Sequence, residues 1–231
     1  MKQRITFISD THTKHDKITN FLDGGDILIH AGDFMSSGYN EMEATMFLKW
    51  FDEIKNYDTK IFIAGNHDRW FQNEPQKMRG VLTGYKTIDY LEDEYMGIVD
   101  GDEPEIKIWG SPWQPEFYNW AFNLPRGEAL KEKWDMIPVD TDILITHGPP
   151  FGKLDYVDYS KINVGCEELL KRVEEIKPKI HVCGHIHGGY GYVFDGNTHF
   201  INASILNDRY EFRNKPIIVD WDSETNEIEF V

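Results

Sequence analysis

Five short runs of β-branched and aromatic residues in this chain each end in a tight polar cluster, and that recurrence constrains the fold more than any other feature of its 231 residues. The clusters are Ser9-Asp10-Thr11-His12, Gly32-Asp33, Gly65-Asn66-His67-Asp68, Thr146-His147-Gly148 and Gly184-His185-Ile186-His187. Taken singly, each reads as a turn or a helix cap more readily than as a site. Taken together, they place carboxylate, amide and imidazole donors at five strand ends. Such donors suit Mn²⁺, Fe, Zn²⁺ or Mg²⁺, and the lack of thiolates among them argues against a structural zinc site. If the strands lie side by side, their ends converge on one rim, where α/β proteins place their sites. A glycine directly before Asp33, Asn66 and His185 lets the backbone turn sharply and come close to a ligand.

The rest of the chain fits that frame. Strand-like runs are expected at Arg4–Ser9, Asp26–His30, Lys60–Ala64, Glu105–Trp109, Asp142–Thr146, Lys179–Cys183, Tyr190–Phe194, Thr198–Ile201, Pro216–Trp221 and Glu227–Val231. Helical spacing is clearest over Glu41–Asn56 and Cys166–Ile176. The mixture is α/β, with two sheets covered by helices. Gly110–Pro125, dense in Pro, Trp, Phe and Asn, is expected to be an irregular loop bordering the site. Glu92–Glu105 reads as a solvated loop or hairpin face. With no repeat, low-complexity tract or linker, residues 1–231 are taken as one domain.

Forty acidic residues against 24 basic ones give a formal charge of −16, which repels polyanions and argues against polymeric nucleic acid as a partner. A small anionic substrate remains compatible, because two bound divalent cations reverse the local potential. The apolar runs are too short for a bilayer, and the first residues lead into a strand instead of a signal peptide, so no membrane partner and a cytoplasmic location are expected. Cys166 and Cys183, the two cysteines, read as reduced.

In order and wording, the five clusters resemble the metal-binding motifs of the calcineurin-like metallophosphoesterase superfamily. Gly110-Ser111-Pro112-Trp113-Gln114-Pro115, Trp120-Ala121-Phe122-Asn123, Thr146-His147-Gly148-Pro149-Pro150, Val164-Gly165-Cys166 and Ile201-Asn202-Ala203-Ser204 are similar to the metallophosphoesterase-domain subgroup akin to class III cyclic-nucleotide phosphodiesterases. The resemblance implies a four-layer α-β-β-α sandwich of two mixed sheets, with a dinuclear centre at strand C-terminal ends. It also implies that Asp10, His12 and His187 hold one metal, that Asn66, His147 and His185 hold the other, and that Asp33 bridges them. Leu206 departs from the subgroup's wording, outside the ligand set.

The implied substrate is a small phosphodiester, with a cyclic nucleotide foremost, cleaved by a hydroxide between two divalent ions, Mn or Fe favoured. His67 is expected to donate the leaving-group proton, with Asp68 holding its ring and favouring the imidazolium. A phosphomonoesterase and a weakly active nucleotide-binding scaffold are the alternatives, and a homodimer is compatible with the subgroup. His15, His30, His181 and His199 read as structural, as do most aromatic residues among Trp109, Trp113, Phe117, Trp120 and Phe122, although these rings would also stack on a nucleobase. Arg69 and Asn202 are weaker candidates for reaching the phosphate or orienting a ligand.

Overall fold

The computed structural model describes residues 2–99 and 104–231. Its strands are β1 (Lys2–Ile8), β2 (Gly25–His30), β3 (Tyr57–Phe62), β4 (Asp89–Tyr90), β5 (Glu94–Val99), β6 (Pro104–Ser111), β7 (Gln114–Pro115) and β8 (Asn123–Leu124). They continue as β9 (Ile143–Thr146), β10 (Tyr156–Val157), β11 (Ile162–Asn163), β12 (Ile180–Cys183), β13 (Gly191–Phe194), β14 (His199–Asn202), β15 (Ile217–Asp222) and β16 (Glu227–Phe230). The α-helices are α1 (Glu41–Glu53), α2 (Arg69–Asn73), α3 (Pro75–Leu82), α4 (Glu128–Asp135) and α5 (Glu167–Ile176).

Twelve of these strands form two six-stranded sheets, ordered β16-β15-β1-β2-β3-β4 and β13-β14-β12-β9-β6-β5, while β7 pairs with β8 and β10 pairs antiparallel with β11. Both six-stranded sheets are mixed. β1 to β4 pair in parallel, as do β6, β9, β12 and β14, while β15, β16, β13 and β5 attach antiparallel. The period-two alternation of each strand assigns its two faces to different layers. In β1, Ile5 and Phe7 enter the core between the sheets, where they meet Ile27, Ile29, Ile108, Ile145 and Val182, whereas Ile8 faces the opposite way. The outer face of the first sheet offers Leu28 and Phe62 to Phe47, Leu48 and Phe51 of α1. That of the second offers Trp109, Leu144 and Phe200 to Trp134 of α4 and to Leu169 and Val173 of α5. Each fully buried aliphatic or Phe side chain contributes about 1.5–3 kcal/mol of hydrophobic stabilisation. The result is the expected α-β-β-α sandwich.

Local chemistry sets the helix ends. Asn40 caps α1 by accepting from the Met42 amide at 2.8 Å. The buried Lys60 ammonium closes the other end, donating to the carbonyls of Phe51 (2.9 Å), Asp52 (2.6 Å) and Ile54 (3.2 Å), so α1 stops at Glu53 and does not reach Asn56. α2, α3 and α4 lie outside the two helices expected from spacing: they have five, eight and eight residues and bury only one or two side chains each. β5 is a strand inside the acidic Glu92–Glu105 segment, of which positions 100–103 lie outside the described residues. Gly110–Pro125 is more ordered than expected, since β6 runs on to Ser111 and β7 pairs in parallel with β8.

Candidate metal centre

Because β1, β2 and β3 run parallel, as do β9 and β12, their C-terminal ends deliver the five clusters to one rim. The backbone stitches them there. The Asp10 amide donates to Gly32 O (3.0 Å), His12 N to Asp33 O (3.0 Å) and Gly184 N to His147 O (2.9 Å), while a parallel bridge between Ser9 and Ser204 ties the two sheets together. The turns are tight enough that Asp10, His12, Asp33 and His185 take positive φ (53°, 40°, 57° and 63°), a region costly for residues with a side chain. The glycines serve mainly by being small. A Cβ on Gly184 would lie 2.1 Å from both Asp10 Oδ2 and Ser9 Oγ, and only Gly32, among the three glycines preceding site residues, also has positive φ.

The structure brings all seven proposed ligands together, with His67 beside them. Asp10, His12 and His187 place one donor atom each within 4.8 Å of one another; so do Asp33, His147 and His185, and so do His12, Asp33 and His67. Asp33 lies between the two sides, its Oδ2 at 3.8 Å from His12 Nε2 and 3.3 Å from His147 Nε2. Asn66 Oδ1 is 3.0 Å from His147 Nε2 and 2.7 Å from His185 Nδ1.

Three imidazoles share one orientation. His12, His147 and His187 turn Nδ1 to the main-chain carbonyls of Met35 (3.0 Å), Ala31 (2.9 Å) and Asn207 (2.9 Å), so that Nε2 points at the carboxylates. An Nε2 lone pair facing carboxylate and amide oxygens is acceptor against acceptor, which only a proton or a cation relieves. His12 Nε2 is buried and has no hydrogen-bond partner. The donor set therefore fits divalent metal binding.

The surrounding charges agree. Burial lowers His187 and His147, but Asp10 and Asp33 respectively outweigh it and raise each to about 9. Burial raises the two carboxyl groups, yet the neighbouring histidines hold both below the usual carboxylate range. Burial brings His12 down to about 4 and, with the His147 charge, His185 to about 3. The signs fix an expected pH dependence for the metal-free protein. Stability from His147 and His187 is complete below their unfolded value near 6.5 and is lost as pH rises through about 9. Stability tied to neutral His12 and His185 is present above about 6.5 and is lost as pH falls toward 4. Chelated protein should thus melt highest near pH 6.5 and lower at pH 9.5, whereas metal-loaded protein should keep its Tm over that interval. Thermal melts of both forms check this, and a flat chelated profile would contradict it.

Asp68 does not do what its position beside His67 suggests. Its carboxylate accepts three backbone amides, from Asp33 (2.8 Å), Met35 (2.9 Å) and Gly65 (2.7 Å), while the His67 ring turns Nδ1 to the Ser36 carbonyl. Asp68 holds the Asp33 and Asn66 turns together and does not orient His67. The His67 ring instead stacks on Trp120 with centroids 4.0 Å apart.

Asn202 is buried and donates to the Gly184 and Ile186 carbonyls. Ser204 Oγ lies 2.7 Å from Asn202 Oδ1 and 2.8 Å from Asp10 Oδ2. Arg69 rests its guanidinium over the Tyr39 and Trp120 rings and donates to Asn119 O. Ser204 and Tyr210, whose ring centroid is 4.9 Å from that of His12, are additions to the predicted site: Ser204 belongs to the Ile201–Ser204 run but not to the predicted ligands, and an aromatic in a stretch of mixed charge carries no ligand pattern. The aromatic group divides. Trp109 and Phe122 are buried and Trp113 packs against the core, but Phe117 is exposed, with its ring 5.9 Å from that of His185, and Trp120 faces His67. His15, His30, His181 and His199 lie outside the donor groups: His30 bonds Thr11, His181 bonds Thr146, and His15 and His199 pack on aromatic rings.

The family model for calcineurin-like phosphoesterases matches residues 3–189. Metallophosphoesterase domain-containing protein 1 of Homo sapiens is 41% identical over 244 residues, covering 96% of this chain and 72% of that protein, and its Mus musculus counterpart matches equally. Among solved structures, TT1561 of Thermus thermophilus aligns over 100% of this chain and 99% of its own with a TM-score of 0.66 at 14% identity. A purple acid phosphatase from yellow lupin aligns over 100% of this chain and 53% of its own, with a TM-score of 0.51 at 12% identity. At those identities the two structures speak to the fold alone. No helix among the described residues is long and apolar enough to cross a membrane.

Proposed function

The chain belongs to the calcineurin-like phosphoesterase family, hydrolases of phosphoric esters, and on that footing we propose that it is a metal-dependent phosphodiesterase acting on small diesters, with cyclic nucleotides as first candidates. The shared orientation of His12, His147 and His187 carries the reading, because it aims three nitrogen donors at the oxygens of Asp10, Asp33 and Asn66. Asp10, His12 and His187 would hold one divalent ion and Asn66, His147 and His185 a second, with Asp33 between them and Mn or Fe favoured. Ions held there activate water and neutralise phosphoryl charge.

The chain's own residues supply the rest. Main-chain carbonyls fix the imidazole tautomers, and the Ser204 hydroxyl and the His185 amide, the latter 3.1 Å from both Asp10 oxygens, fix that carboxylate. His67, with Nδ1–H committed to Ser36 O, would pass an Nε2 proton to a leaving alkoxide when its ring is doubly protonated. The acidic surface disfavours polymeric substrates, which supports a small diester. Metal-free protein reconstituted in turn with Mn²⁺, Zn²⁺, Fe²⁺ and Mg²⁺ should hydrolyse bis(p-nitrophenyl) phosphate in preference to p-nitrophenyl phosphate. Preference for the monoester would move the assignment to a phosphatase, and silence with every metal would leave a binding protein.

A further inference from the structure

Beside the centre lies a cleft of about 460 Å³ whose lining includes His185 and His187. Four rings border it: Phe117, Tyr156, Tyr159 and Tyr210, which remain 44%, 47%, 86% and 42% exposed. Rings left so open add little to folding, and a group of them contiguous with a reaction centre marks a surface that a ligand covers. The wall is built, not loose. Asp155, 1% exposed, sits at the base of the β10–β11 arm and accepts the amides of Gly152 (3.0 Å) and Gly165 (2.8 Å) and the Asn163 side-chain amide. Gly165 packs so closely that a Cβ there would lie 2.4 Å from Pro150 O.

Charge restricts what enters. Arg126, the one arginine or lysine among the lining residues, is committed to Glu167 and to the carbonyls of Val164 and Gly165. Glu116, Asp158 and Asp208 also line the cleft, and a further anionic group would meet their repulsion.

We propose that this cleft, which is not lined by His67, is the subsite for the non-leaving ester group of the phosphodiester, that it selects an uncharged aromatic or heteroaromatic ring, and that Tyr156 and Tyr159 determine this specificity. The proposal rests on the diesterase reading above. Its test compares phenyl p-nitrophenyl phosphate with methyl p-nitrophenyl phosphate on Mn²⁺-loaded protein. The two share a leaving group, and their kcat/KM values are corrected for alkaline hydrolysis rates. The phenyl ester should be favoured about tenfold, a gain typical of one stacked ring, and the ratio should fall toward one in the Tyr156→Ser/Tyr159→Ser protein. Calorimetry with diphenylphosphinate and dimethylphosphinate, whose P–C bonds resist hydrolysis, should show the same preference without turnover. Hydrolysis of both esters with no ring preference, or a preference undiminished in the double variant, would overturn the subsite. Tighter diphenylphosphinate binding with neither ester hydrolysed would support the subsite and overturn the diesterase reading.

Discussion

Asp33→Asn protein should fold, lose bound metal and fall by about 10³-fold or more in phosphodiester turnover. The reason is position. Asp33 presents one oxygen to His12 and His147 together while its Oδ1 accepts the His67 amide at 2.7 Å, so one charge serves both donor groups and the turn between them. Asparagine keeps the shape and the acceptor for His67 but removes the charge that two cations would share. Elemental analysis beside turnover decides it, and an active, metal-replete Asp33→Asn protein would remove Asp33 from its bridging role.

The second large effect is expected at Asp68, as a loss of stability. Truncation to alanine leaves the buried amides of Asp33, Met35 and Gly65 without an acceptor, which should cost about 3–5 kcal/mol in denaturant unfolding. Metal should be lost as well, because those amides set the turns carrying Asp33 and Asn66. The His67→Ala protein should behave oppositely: metal retained, stability within about 1 kcal/mol, and turnover lowered about 10²-fold. If Asp68 instead acted through His67, the two variants would share a phenotype, with metal and stability intact in both.

That contrast shows where sequence reading stops. The ligand clusters are legible because each combines a strand, a turn and a metal donor within four residues, and parallel pairing then gathers the strand ends. Asp68 is misread because adjacency in sequence says nothing about direction: the residue opens α2, and its carboxylate reaches back to Asp33 and Met35 on another loop. Ser204 and Tyr210 join the site only through long-range packing. Helices α2 to α4 escape notice because one or two buried side chains per helix leave almost no periodic signal. Of the two readings of the acidic Glu92–Glu105 segment, loop or hairpin face, the hairpin agrees with β5, whose antiparallel pairing with β6 from Glu94↔Gly110 to Val99↔Pro104 extends the second sheet. Among the aromatic residues, composition suggests a core, but Phe117 and Trp120 are held at the rim by the segment that joins β7 to β8.

Anomalous scattering from crystals of the Mn²⁺-loaded protein tests the central claim most directly. Two peaks should appear, one among Asp10, His12 and His187 and one among Asn66, His147 and His185, with Asp33 reaching both. A single ion held by His12, Asp33 and His67, the third donor group on this rim, would contradict the dinuclear centre and make His67 a ligand instead of an acid.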